Sequence, residues 1–256
     1  MVEKSEAEAI ETIFPLKSSL DIAGCSVRVT TEAHLLDAAR LFHEKGFVVV
    51  RSALSSLAVD ELQEACQELY KAVRLRDPEA LGNRNPGRYS FGAISPSGHT
   101  LHLGAFLHLV DSPVVHAILE QIYAGEGYIV RGVGGDFCTG STRDFQKLHS
   151  DMRPAQPLKG KGFGKFADAP IHDKQNPPLV SVNYAVQDLT PWNGPMRILP
   201  WEVMESRSRG PPDLDWEPKQ WLKSKLFPLA AGDAIIRRSG QEAKNQEAFF
   251  YGLSCS

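Results

Sequence analysis

The chain has 256 residues, 42% hydrophobic and 23% charged, and its 28 Lys+Arg against 31 Asp+Glu give a formal charge of -3. That length allows one large domain or two small ones with a substantial core, and the composition excludes a collagen, a coiled coil and a long disordered tail. So small a net charge provides no long-range field to gather nucleic acid or anionic lipid, and neither is expected as a partner.

No stretch approaches the ~20 apolar residues that cross a bilayer. The acidic start, Met1-Val2-Glu3-Lys4-Ser5-Glu6, does not read as a signal or transit peptide. Cys25, Cys66, Cys138 and Cys255 lie far apart with no Cys-x-x-Cys pair, which suits a reducing compartment. A soluble cytoplasmic protein acting on a small molecule is the expectation.

Residues 1–30 lack a clear period and read as an N-terminal extension. Thr31 then caps a helix with Leu35, Ala39 and Phe42 on one face and Gly46 as its stop. Phe47-Val48-Val49-Val50 is a buried strand. Ser56 opens a second helix striped by Leu62, Cys66, Leu69 and Val73, so Cys66 reads as packing rather than chemistry. A third helix has Ser112 as cap, Pro113 at its first position, Val115, Ile118, Leu119 and Ile122 inward, and Gly125 as terminator.

From Tyr128 onward the pattern is that of strands: Tyr128 to Val133, Phe145 to Asp151, Leu179 to Leu189, Met196 to Leu199 and Ala234 to Arg237. Helices first and short strands after give an α+β layout with an antiparallel β half. The stretch Pro154 to Pro178 is too long for an ordinary hairpin loop, and Trp216 to Lys225 reads as a short surface helix. Two glycine motifs carry no phosphate chemistry. Gly132-Val133-Gly134-Gly135 is followed by strand rather than helix, and Gly160-Lys161-Gly162-Phe163-Gly164-Lys165 lacks Walker spacing.

The chemically informative segment is His149-Ser150-Asp151 at the end of a predicted strand. Residues i and i+2 of a strand share a face, so this imidazole and carboxylate can grip one metal ion as two members of a 2-His-1-carboxylate triad. Four features in order resemble the phytanoyl-CoA dioxygenase family of Fe(II)- and 2-oxoglutarate-dependent oxygenases, over roughly Thr31 to Arg237. They are Gly46-Phe47-Val48-Val49-Val50-Arg51 after its helix, Leu148-His149-Ser150-Asp151, the segment Val182 to Pro200 with Asn193-Gly194-Pro195, and Ala231-Gly232-Asp233-Ala234-Ile235-Ile236.

The resemblance implies a double-stranded β-helix, the cupin-like jelly roll, flanked by the N-terminal helices. It implies a non-haem dioxygenase that binds Fe(II) through His149 and Asp151 and uses 2-oxoglutarate to hydroxylate a small or lipid-like organic substrate. No catalytic residue beyond the metal ligands is expected.

Two family elements have no counterpart. After the Gly-Asp turn comes Ile236-Arg237-Arg238-Ser239-Gly240-Gln241, with neither a histidine nor an arginine after Arg238. His172 is the only histidine after Asp151 and the only stand-in for the third ligand; its alternative is a loop histidine. Two protein ligands predict weak iron binding. Arg237 could meet a co-substrate carboxylate, or Arg237 and Arg238 could simply alternate inward and outward. Asn183 and Tyr184 alternate on a barrel strand, and one of them should face the cavity. His99 and His102 suit a substrate-entrance or structural role.

The expected organisation is therefore one domain over residues 31–238 and an atypical tail over 239–256. The tail lacks period-2 alternation, so the last barrel strands are expected to be missing, as in a truncated product. The alternative function is a catalytically inactive binding protein of the same fold. A metal hydrolase lacks a ligand set and a general base.

Overall fold

Two amphipathic helices and the strand between them open the fold as their sequence periods require. The computed structural model describes residues 23–84, 86–92, 104–138, 179–190, 196–198, 225–238 and 247–253. After the short strand β1 (Ser26–Arg28), helix α1 (Glu32–Lys45) buries Ala38, Ala39, Leu41 and Phe42. It stops at Gly46, whose left-handed φ of 82° suits glycine and whose N–H donates to the Phe42 carbonyl at 2.8 Å. Strand β2 (Phe47–Arg51) follows at once.

Helix α2 (Ser56–Arg76) is capped one residue earlier than the sequence suggested. Ser55 has extended backbone, and its Oγ accepts from the Ala58 amide at 3.2 Å, so Ser56 is already helical. Cys66 is buried in the core, as expected of a packing residue. After β3 (Arg88–Gly92) and the one-turn helix α3 (Leu107–Val110), α4 (Pro113–Ile122) buries Val115, Ile118, Leu119 and Ile122. Ser112 precedes α4 but makes no side-chain cap. Its hydroxyl donates instead to the Ala53 carbonyl at 3.0 Å, which satisfies that backbone acceptor.

The remaining strands are β4 (Ile129–Cys138), β5 (Leu179–Ala185), β6 (Met196–Ile198), β7 (Lys225–Phe227), β8 (Ala234–Arg238) and β9 (Glu247–Leu253). Seven of the strands form one sheet in the order β1-β2-β8-β5-β9-β4-β3, while β6 and β7 pair separately. Strand β8 is antiparallel to both β2 and β5, and β9 is parallel to both β5 and β4. The fold is thus a mixed α/β arrangement of helices on a sheet.

Several expectations require correction. Residues 247–253 are a strand in the middle of the large sheet, so the tail does contribute to it. The consecutive aromatics Phe249, Phe250 and Tyr251 leave β9 without period-2 alternation, and both of its partner strands are distant in the chain. The strand expected through Leu189 ends at Ala185. Beyond it the chain turns, with the Gly232 amide donating to the Ala185 carbonyl and Leu189 forming only an isolated bridge to Leu229. Lys225 starts a strand rather than ending a helix. The glycines Gly132, Gly134 and Gly135 lie inside β4, which agrees with the absence of a dinucleotide turn.

Alternation along the strands divides the core in two. Val48, Val50, Val180, Val182, Tyr184, Ala234 and Ile236 face the helices and join their apolar residues in the larger cluster. Phe47, Val49, Ala185 and Ile235 face the other way and form a smaller cluster with Leu189 and Leu229. This opposite face carries the polar side chains described next.

Candidate functional site

The turn before β8 fixes the polar side of this face. Asp233 is 3% exposed, and its carboxylate accepts from Arg51 Nη1 at 2.5 Å, from the Ser52 amide at 2.9 Å and from the Ala230 amide at 3.0 Å. A buried carboxylate needs this many donors to remain charged. The preceding Gly232 has φ of 88°, and a Cβ there would meet the Leu54 carbonyl oxygen at 3.2 Å and Val59 Cγ2 at 3.3 Å. Glycine is therefore required on both backbone and steric grounds. The turn ties the ends of β2 and β8 together and sets the register of β8 against β5.

That register brings Asn183 and Arg237 into contact. Arg237 pairs with Ser181 across the ladder, and its Nε reaches diagonally to donate to Asn183 Oδ1 at 3.1 Å. Asn183 is 4% exposed and Arg237 half-buried. Arg238 alternates to the helix side, where its guanidinium lies 5.7 Å from the centre of the Phe42 ring. The tandem arginines therefore point to opposite faces, the arrangement that simple alternation predicts.

Tyr184 separates from Asn183 in the same way. It is completely buried in the helix-side cluster, so it does not share a face with Asn183 and Arg237. Burial pushes its phenol far above the ordinary range, with a hydrogen bond to Ser112 opposing the shift. Nearby Tyr128 is pushed up to about 12, first by burial and then by the charge of Glu120. His116 stacks on Tyr128 and hydrogen-bonds its hydroxyl through Nδ1, while Nε2 donates to the Val110 carbonyl at 2.6 Å. Because a carbonyl can only accept, Nε2 is the donor of that bond. This cluster braces α4 against β4 and β5 behind the site.

His149, Asp151 and His172 lie outside the described residues, as do His99, His102 and Asn193-Gly194-Pro195. Among the described residues, no three His, Cys, Asp or Glu side chains gather as a metal site. Asp233, already holding Arg51 and two amides, is not disposed to bind an ion. Of the other described histidines, His108 Nε2 lies 2.6 Å from Glu61 and His34 bonds Thr30. The first pair ties α3 to α2, and the second sits at the start of α1.

A further polar group on the same face escaped the sequence reading. Ser90 on β3 bonds Asp136 on β4 through its hydroxyl, and Arg84 Nε donates to Ser90 Oγ at 3.1 Å. Arg88 Nη2 stands 3.6 Å from Asp136 Oδ2. The i, i+2 spacing of Arg88 and Ser90 was the available signal, but nothing in sequence linked it to Asp136.

The family model for phytanoyl-CoA dioxygenase (PhyH) matches residues 42–239, well over half of the chain. The chain belongs to the phytanoyl-CoA dioxygenase family. No match was found among curated proteins. At the level of the family, the reaction type is Fe(II)- and 2-oxoglutarate-dependent dioxygenation. The matched span includes Asn183, Asp233 and Arg237 as well as His149 and Asp151. Among the described residues, no helix is long and apolar enough to cross a membrane.

Proposed function

We propose that this member of the phytanoyl-CoA dioxygenase family is a hydroxylase of a small or lipid-like organic substrate, built on a jelly roll. His149 and Asp151 are its metal ligands. Asn183 and Arg237 receive a carboxylate of 2-oxoglutarate. The observation that carries the second assignment is the Arg237–Asn183 hydrogen bond on the face turned away from the helices.

The described residues fit the co-substrate better than the metal. A guanidinium presents five N–H donors in a planar fork suited to a carboxylate, and the neighbouring amide of Asn183 adds donors of its own. Since Asn183 Oδ1 accepts from Arg237, its NH2 is directed away from that bond. Tyr184, on the far side of the sheet, supports the strand from behind. The described residues offer no ligand set for iron, so the metal rests on His149 and Asp151, with His172 as the remaining histidine of the later sequence. Iron with 2-oxoglutarate, when bound, supplies the oxidising power for hydroxylation; the chain's own residues hold, orient and shield.

The test is anaerobic titration of the purified chain with 2-oxoglutarate and with Fe(II), followed by succinate analysis in air. The expectation is saturable 2-oxoglutarate binding, weakened about tenfold or more in Arg237→Gln, for loss of a charge-assisted contact. Iron should bind weakly, and His149→Ala should abolish succinate formation. Binding unaffected by Arg237→Gln would remove the carboxylate assignment. Retention of 2-oxoglutarate without any succinate would identify the alternative, a binding protein of the same fold.

A further inference from the structure

The guanidinium of Arg88 is in an unusual position for an arginine on a strand. Its side chain is only 22% exposed, yet among the described residues its nearest acidic oxygen is Asp136 Oδ2 at 3.6 Å, beyond hydrogen-bond range. Asp136 also bonds the Ser90 hydroxyl. Arg88 thus has a planar set of donors largely withdrawn from water and only a loose partner for them.

A second arginine is held at the same turn. The amides of Asn83 and Arg84 both donate to the Arg88 carbonyl, at 3.2 and 3.3 Å, with Gly87 at φ of 74° closing the turn. Arg84 is exposed, and its Nε donates to Ser90 Oγ at 3.1 Å. Asn83 bonds the Ser90 backbone at both ends, through Nδ2 at 2.7 Å and Oδ1 at 2.8 Å, and so occupies the edge of β3 where another strand could add. Arg88 stands beside the Asp136 carboxylate and Arg84 reaches it only through Ser90, so this group holds two guanidinium charges and one carboxylate. The next pair along this face is Gly92 opposite Gly134.

We propose that Arg88 and Arg84 form a binding subsite for an oxyanion, a carboxylate or phosphate group, with Ser90 and Asp136 orienting the arginines. It lies at the β3 end of the sheet, with β5, β9 and β4 between it and Arg237 on β8. The site is therefore separate from the proposed co-substrate anchor. Asp136 is the resident competitor: it holds the guanidinium loosely until an anion with better geometry takes its place. Assigning this anion to the organic substrate rests on the hydroxylase reading, which would then act on acids or phosphate esters. The anion site itself does not depend on that reading.

The test titrates inorganic phosphate and, in parallel, acetate into the full chain without iron or 2-oxoglutarate, following amide and Arg Nε–Hε resonances by NMR. Saturable shifts centred on Arg84, Arg88 and Ser90 are expected, with the tighter of the two anions naming the headgroup. Arg88→Gln should weaken binding about tenfold, and Arg84→Gln, a surface change that spares folding, by at least a few-fold. Arg88→Lys should recover only part, since an ammonium lacks the planar fork. Asp136→Asn should tighten binding several-fold by removing the competing charge. A purely structural Asp136–Arg88 pair predicts the reverse, because loss of either partner would then disorder the site. Absence of saturation with both anions, or indifference to both arginine substitutions, or weaker binding in a folded Asp136→Asn variant, would overturn the proposal. None of these outcomes alters the 2-oxoglutarate titration, so the two readings fail separately.

Discussion

Asp233 shows how much of this fold rests on one carboxylate. It joins the end of β2, through Arg51 and the Ser52 amide, to the turn that launches β8, through the Ala230 amide. Replacing it with alanine leaves Arg51 and two amides without their acceptor. Asp233→Ala should therefore lose about 3 kcal/mol of stability, within the range for breaking a buried charge pair. Equilibrium urea unfolding measures this, and a loss within ~0.5 kcal/mol would mean that water replaces the carboxylate. The Gly-Asp pair was visible in the sequence as a turn, because Gly232 needs a left-handed backbone and precedes a run of apolar β-branched residues. The donors were not visible, since Arg51 is 182 residues away in the chain. Asn183 and Tyr184 were equally undecided. Alternation requires them to face opposite ways, but only the pairing of β5 with β8 reveals which one faces the helices.

Local elements followed their local signals more closely than the segments between them did. Helices α1, α2 and α4 lie where three- and four-residue spacing put them, because a helix closes its own hydrogen bonds and needs only one apolar face. The junction from α2 to β3 instead depends on Asp77, which no period marks. Its carboxylate accepts the Tyr89 hydroxyl at 2.6 Å, the Gly82 amide at 2.9 Å and the Leu81 amide at 3.0 Å. The Tyr89 hydroxyl first, and then the Gly82 and Leu81 amides, hold Asp77 below the usual carboxylate range. A depressed folded value means that the unfolded chain takes up the proton more readily. The stabilisation is therefore present above about pH 4 and is lost as pH falls through the folded value. Asp77→Asn should be less stable than the parent at pH 7, and the gap should narrow as pH falls below about 4. Urea midpoints at pH 7, 4 and 3 test this; a gap independent of pH would show that the turn does not depend on the carboxylate's charge.

The arrangement of the complete sheet was the least legible feature, because long-range pairing leaves no mark on local pattern. Among the described residues, the sheet is two antiparallel parts, β2-β8-β5 with β1 at one edge and β4-β3 at the other, joined only through β9. Past the bulge between Val130 and Gly132 the register runs on unbroken: Asn183 and Gly134 both lie opposite Tyr251, and Ala185 and Asp136 both lie opposite Leu253. Consequently β9 links the proposed carboxylate anchor to the β3–β4 polar group, setting the two at a fixed separation across the face. Removing residues 247–256 would leave facing edges on β4 and β5 with unpaired N–H and C=O groups, which invite exchange with solvent and pairing between chains. In the intact chain, amides of residues 247–253 should exchange slowly, together with those of β4 and β5. Deleting residues 247–256 should accelerate exchange in both neighbouring strands while α1 and β2, on the far side of β8, keep most of their protection. Phe250→Pro, which removes one ladder donor and leaves the chain length unchanged, should loosen the same two strands to a smaller extent. If β4 and β5 exchange at unchanged rates in both variants, the two parts of the sheet are held together by something other than β9, and the fixed separation between the two binding groups loses its basis.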